Sequence, residues 1–336
     1  MTNLSIHPLV LRWTSMLTIG LLSLMGSGLV FAQSPGNDFP NHPIKIIVPQ
    51  AAGGGTDLIG RRIAQKISEQ FKVSTVVENK SGAGSLIGTE FVANSAPDGY
   101  TLMIGGLFNM VMNKALIKNL SYEPDRDFVP IGYISGYSFV FLTRPDMPVN
   151  SLAEFVRFAK EQNKPITFGS AGIGTLQHVW GEILLNALGI QTIHVPFKGA
   201  AQGYQEMMAG RVDVMFDNMS ASKQFILNGK LKGLALSAQE RSPLLPLVPT
   251  INETGITKFT GESWFGVFAP NNTPPATVNK LRQALIAINK DSEFMAQVEK
   301  DGGRMINVPI NEQQQFLKDE IGKWVGLVQK NNIKVD

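Results

Sequence analysis

Ile44-Lys45-Ile46-Ile47-Val48-Pro49-Gln50-Ala51-Ala52-Gly53-Gly54-Gly55-Thr56-Asp57 runs from a strand-forming stretch through a glycine-rich turn into a helix start. Pro165-Ile166-Thr167-Phe168-Gly169-Ser170-Ala171-Gly172-Ile173-Gly174-Thr175 repeats the arrangement. A helix N-terminus leaves backbone N–H groups unpaired and carries about half a positive charge, so it holds an anion without Lys or Arg. Glycine lets the backbone approach a ligand closely. Two such units predict two anion-reading helix ends in one protein.

Outward from these units, strand-like and helix-like runs alternate, which predicts an α/β architecture with mainly parallel sheets flanked by helices. After Thr56 the apolar residues Ile59, Ile63, Ile67 and Phe71 recur every four positions, as on one helix face. Further strands are expected at 75–78, 101–105, 129–135, 139–143, 166–169, 212–217, 231–237 and 264–269. Helices are expected at 152–162, 176–188, 201–209, 275–289, 293–301 and 311–331. Proline breaks followed by fresh caps, at 144–148 before Ser151 and at 268–270 before Thr273, mark domain boundaries. They predict one domain from 40–141 plus 266–336 and an inserted one at 142–265, joined by two crossing strands that form the hinge.

The chain begins with a lone Arg12, an uncharged Leu-rich run from Met16 to Phe31, and Val30-Phe31-Ala32 in a small-x-small pattern. This predicts an export signal over 1–32, cleaved near Ala32. The run contains Gly20, Gly26 and Gly28 and falls short of the roughly 20 apolar residues of a spanning helix. Cysteine is absent, which excludes disulfides, thiol catalysis, thiolate metal sites and a lipidated N-terminal Cys. Thirty Lys and Arg face 27 Asp and Glu, and cleavage would remove Arg12 alone, leaving +2. So small and scattered a charge argues against nucleic acid as partner.

Catalytic signatures are missing. There is no G-x-S-x-G elbow, and beyond the signal only His42, His178 and His194 remain, without an H-x-x-x-H pair, so no metal site is expected. Gly55 to Gly60 has phosphate-loop spacing, but Arg61-Arg62 stand where Lys and Ser or Thr are required. Gly53-x-Gly55 and Gly172-x-Gly174 lack the third glycine of a dinucleotide fingerprint, so no cofactor is expected. An exported hydrolase built on Ser170 and His178 is the competing reading from another class. Their eight-residue separation across a helix start suits a Ser–His hydrogen bond poorly.

Six motifs in order carry a resemblance. Pro49 to Asp57, Glu78-Asn79-Lys80-Ser81-Gly82-Ala83-Gly84, Ala96-Pro97-Asp98-Gly99-Tyr100-Thr101-Leu102, Gly169 to Gly172, His194-Val195-Pro196-Phe197-Lys198-Gly199 and Val212 to Asp217 resemble the substrate-binding proteins of tripartite tricarboxylate transporters, the Bug receptors. The resemblance covers essentially the whole chain after the signal. It implies a monomeric periplasmic two-domain receptor of the Venus-flytrap kind. Such a receptor clamps a small organic mono- or dicarboxylate, aliphatic or aromatic, and passes it to membrane permease subunits without catalysis. A signalling co-receptor that docks a membrane sensor is compatible with the same sequence.

Carried onto this chain, the ligand-reading loops match Gln50, Ala51, Ala52, Gly53, Gly54, Thr56 and Asp57, then Ser170, Ala171, Gly172, Thr175 and His178. Backbone N–H groups would donate to a carboxylate, with hydroxyls of Thr56, Ser170 and Thr175 adding to them. Gln50 stands where the family commonly carries an aromatic residue, which implies altered specificity. Each residue also has a structural reading. Gly53 to Gly55 suit a tight turn, and Thr56 suits a helix cap. Asp57 would repel an anion and is expected to brace its loop. His178 points either into the cleft or at a backbone carbonyl. Asp217 ends a strand, at a ligand crevice or as a cap. Phe108 and Asn109 follow another strand and line the cleft or, for Phe108, pack the core. Lys198 and Arg144 read as solvated surface charges.

Overall fold

The computed structural model describes residues 39–162 and 164–335; the expected export signal, 1–32, lies outside the described residues. In chain order the first elements are β1 (Ile44–Val48), α1 (Gly55–Phe71), β2 (Thr75–Asn79), α2 (Leu86–Ala93) and β3 (Thr101–Gly106). A π-turn, Phe108–Met112, continues into α3 (Asn113–Leu116), and α4 (Pro124–Asp127) leads into β4 (Phe128–Thr143). The middle of the chain forms α5 (Leu152–Glu161), β5 (Ile166–Ser170), α6 (Leu176–Ala187), β6 (Thr192–Pro196), α7 (Ala200–Met208), β7 (Val214–Asn218), α8 (Met219–Leu227) and β8 (Lys232–Leu236). The last part is β9 (Glu262–Pro270), α9 (Pro275–Asn289), α10 (Ser292–Lys300), β10 (Gly303–Met305) and α11 (Gln313–Lys330).

Local chemistry accounts for these elements. Ile59, Ile63 and Ile67 of α1 are buried on one face, and the helix ends where Lys72 turns left-handed at φ 58°. Ser151 caps α5 by accepting from the Glu154 N–H at 3.1 Å. β4 is buried along almost its whole length because strands pair with it on both edges.

Two parallel wings join through an antiparallel spine. β1 pairs in parallel with β2 and β3, and β5 in parallel with β6 and β7. β9 is antiparallel to β3 and β4, while β7 and β8 are antiparallel to the far end of β4. The register fixes where the wings point. Gly106, the end of β3, sits opposite Phe265, which in turn pairs with Ser135 of β4. Asn218, the end of β7, sits opposite Phe139. The carboxyl ends of β3 and β7 therefore converge on the short span 135–139 of β4, and β1 and β5, parallel to them, send their loops out at the same ends of their wings, the end at which open α/β sheets bind ligands.

This is a mixed α/β fold whose parallel wings agree with the sequence reading. The expected strands at 129–135 and 139–143 are one continuous β4, whose partners change from β9 at Ser138 to β7 at Phe139. The return crossing lies just before β9, where the Gly261 N–H donates to Ser237 O at 3.0 Å and Ser237 Oγ donates to Gly261 O at 2.6 Å. α11 clamps both wings: Trp324 stacks on Trp180 of α6 at 4.9 Å, and Glu320 accepts the indole N–H groups of Trp264 and Trp324 at 3.0 and 3.2 Å. Among the described residues no helix is long and apolar enough to cross a membrane.

Candidate ligand-binding site

The loop after β1 is held by its own side chains. Asp57, 3 % exposed, accepts from the Gly53 N–H at 2.9 Å, Asn79 Nδ2 at 2.9 Å and Arg61 Nε at 2.9 Å. Asn79 also donates to Gln50 O at 3.1 Å. The hydrogen bond from Arg61 outweighs the opposing effect of burial and lowers the Asp57 pKa to about 2. Asp57 thus braces the loop, as its charge demands. Thr56 donates its hydroxyl to Gln50 Oε1, so that proton is spent inside the loop. Ala51, Ala52, Gly53 and Gly54 are exposed, and the first N–H groups of α1 have no intrahelical acceptor. Gly53 carries the left-handed turn at φ 86°, while Gly54, the N-cap, is extended at φ −79°.

The loop after β5 is equally preorganised. Thr175 caps α6: its Oγ1 accepts from the His178 N–H at 3.3 Å and donates to Gly172 O at 2.7 Å. Ser170, fully buried, accepts from the Gly172 N–H at 3.2 Å and lies 2.7 Å from His194 Nε2. His178 bonds a backbone N–H rather than a carbonyl: its Nδ1 accepts from the Gly174 N–H at 3.2 Å, and its ring stacks on His194 at 4.1 Å. Burial lowers the pKa of His178, and burial together with the neighbouring His178 lowers that of His194 to about 4. Both rings are therefore neutral near pH 7. Ala171 and Gly172 stay half-buried between these anchors.

The remaining expected residues are held by contacts within their own wings. Asp217, 1 % exposed, caps no helix; it accepts from Gln177 Nε2 at 3.0 Å, Tyr204 Oη at 2.5 Å and the Asn218 N–H at 2.6 Å, tying β7 to the first turn of α6. Burial raises its pKa. Asn109 faces into its wing: Oδ1 accepts from the Gly106 N–H at 2.9 Å and Nδ2 donates to Thr89 Oγ1 at 3.0 Å, so it buttresses the end of β3. Phe108 is half-buried and packs against the core, its ring near the Gly84 turn. Arg144, just after β4, is paired with the largely buried Asp213 and the exposed Asp146, and is itself only partly exposed.

Two features escaped the sequence reading. His194 is set by the β5–β6 register, which places it opposite Phe168 and within reach of Ser170; a strand with a half-exposed pattern and a terminal proline gave little signal. The turn 82–85 after β2 holds positive φ at Gly82, Ala83, Gly84 and Ser85, beside the loop after β1. A Cβ at Gly88, in the first turn of α2, would stand 2.8 Å from Pro49, so the helix that follows this turn packs against the start of the loop after β1. A pocket of about 420 Å³ joins Gly55 at the head of α1 with Asn218 and Ser220 at the head of α8, and is also lined by Tyr137 and Phe265. Its lining does not include Ser170 or His178.

Residues 59–333 match the tripartite tricarboxylate transporter family receptor. The chain is 31 % identical to a UPF0065 protein of Bordetella pertussis over 292 residues, covering 87 % of this chain and 90 % of that one. Among solved structures it is similar to the periplasmic binding protein BugD, with 33 % identity, TM-score 0.74, and 88 % and 99 % of the two chains covered. Rpa4515 of R. palustris, solved with adipate, gives 29 %, TM-score 0.77, and 88 % and 99 %. MatC of Rhodopseudomonas palustris, with bound malate, gives 30 %, TM-score 0.73, and 86 % and 100 %.

Proposed function

Because the chain belongs to the tripartite tricarboxylate transporter receptor family, we propose that it is a periplasmic receptor that closes on a small organic carboxylate and delivers it to membrane permease subunits. One observation carries this reading: the hydroxyls of Thr56 and Thr175 and the carboxylate of Asp57 are all spent on shaping their loops. What the loops keep for a ligand is backbone N–H groups at two helix heads on converging strand ends, a donor set suited to a carboxylate. The amide nitrogen of Gln50, which makes no hydrogen bond among the described residues, adds one directed donor. Adipate in Rpa4515 and malate in MatC support the dicarboxylate class.

Closure would occur about the two crossings, with 39–138 and 262–335 forming one lobe and 139–261 the other. Residues 1–32 would act as the export signal. Binding without catalysis also agrees with the Ser170–His194 pair: a ring with pKa near about 4 is a weak general base, and His178 rather than a carboxylate lies against it. The test is calorimetric titration of unliganded protein with adipate, malate and their diamides. An acid should bind and stabilise the fold by about 2.7 kcal/mol at a hundredfold excess over Kd, and the diamides should fail. Equal binding of diamide and acid would overturn it.

A further inference from the structure

Away from the crevice, α9, the start of β4 and the segment between β10 and α11 enclose a pocket of about 480 Å³. Its lining holds no Asp or Glu, two cations, Arg282 and Lys290, and an apolar wall that includes Ile131, Ile286, Ile306 and Ile310. Arg282 has no carboxylate partner among the described residues; its Nη2 donates to Pro130 O at 2.9 Å, and its Nε is buried without any partner. On the same helix Asn289 donates Nδ2 to Tyr133 O at 2.8 Å, while its Oδ1 is buried and unpartnered. Buried polar atoms are nearly always satisfied, and the guanidinium of Arg282, a donor group with no carboxylate beside it among the described residues, favours an anion; Asn289 Oδ1, itself an acceptor, does not contribute to that preference. The volume falls within the range of small-molecule sites.

We propose that this pocket is a second ligand site, for a small organic anion with an apolar body, whose carboxylate meets Arg282 and whose chain lies along the isoleucines. It is independent of the crevice reading. The experiment uses hexanoate as probe and hexanol as its neutral counterpart, added at millimolar concentration to protein with labelled isoleucine methyl groups. A Gly53→Val background separates the pocket from the crevice. Hexanoate should shift Ile131, Ile306 and Ile310 saturably in both backgrounds, and hexanol should bind at least roughly tenfold more weakly, the worth of one charge-assisted hydrogen bond. Arg282→Met should weaken hexanoate by a similar factor while Arg282→Lys retains most of the affinity. Should Arg282→Met fail to fold, Ile286→Glu, which places a negative charge in the lining, should abolish the shifts. Absence of isoleucine shifts, equal binding of hexanol, or undiminished hexanoate binding in a folded Arg282→Met or Ile286→Glu variant would each overturn the proposal.

Discussion

Gly53→Ala and Gly54→Ala, one residue apart, separate a loop that reads an anion from a loop that only turns. Gly53 sits at φ 86° with open space around the position a Cβ would take, so alanine there meets no atom and is penalised by backbone conformation alone. That penalty is roughly 1–2 kcal/mol. The free protein can escape it by letting the loop swing off Asp57, giving up the Gly53 N–H bond of 2.9 Å. A ligand that needs the loop in place must restore the strained form, so affinity falls by roughly 5- to 30-fold. Gly54 is extended at φ −79°, and a Cβ there would make only an ordinary 3.6 Å contact with Ala51 O, so Gly54→Ala should leave affinity within about twofold. Calorimetry with the tightest acid of the panel, paired with thermal melts, measures both effects. Equal affinity of the two variants would refute the reasoning.

Thr175→Val removes the cap of α6 and should lower stability by about 0.5–2 kcal/mol, with Thr175→Ser restoring it in denaturant melts. The depressed pKa values of His178 and His194 mean the unfolded chain binds more protons below its usual histidine value near 6.5, so their contribution is complete above that pH and is lost as pH falls toward about 4. The melting temperature should drop across this window, less steeply in His194→Gln. Asp57 acts lower: its contribution holds above its ordinary value of 3.8 and disappears as pH falls through about 2. Glu320→Leu orphans the indole N–H groups of Trp264 and Trp324, each at a cost of about 1–3 kcal/mol; a loss below about 1 kcal/mol would show that they find other partners.

The parallel wings were legible because each strand–loop–helix unit carries its own signal: β-branched runs, glycine turns, and the four-residue apolar spacing of α1. β4 was read as two strands because Gly136 interrupts the apolar run, yet pairing on both edges carries the strand through it. α8 and β6 were missed because their apolar residues follow no clean period; tertiary packing decides them. At the site, the loops themselves were legible and their internal division of labour was not. Whether Thr56 donates to a ligand or to Gln50 is decided by how one short loop folds back on itself, and whether Ser170 meets His178 or His194 depends on the β5–β6 register. Asn109 shows the same limit: its position after β3 was recognised, but its amide turns inward to Thr89, twenty residues upstream.

The two loops acting as one site can be observed directly in amide proton–nitrogen spectra of the unliganded protein titrated with adipate or malate. The N–H resonances of Gly53 to Asp57 and of Ala171 to Thr175 should move together, along one saturation curve, with the backbone donors at both helix heads shifting as for a bound anion. Shifts confined to one of the two loops, or saturating curves found only at residues outside both, would contradict it.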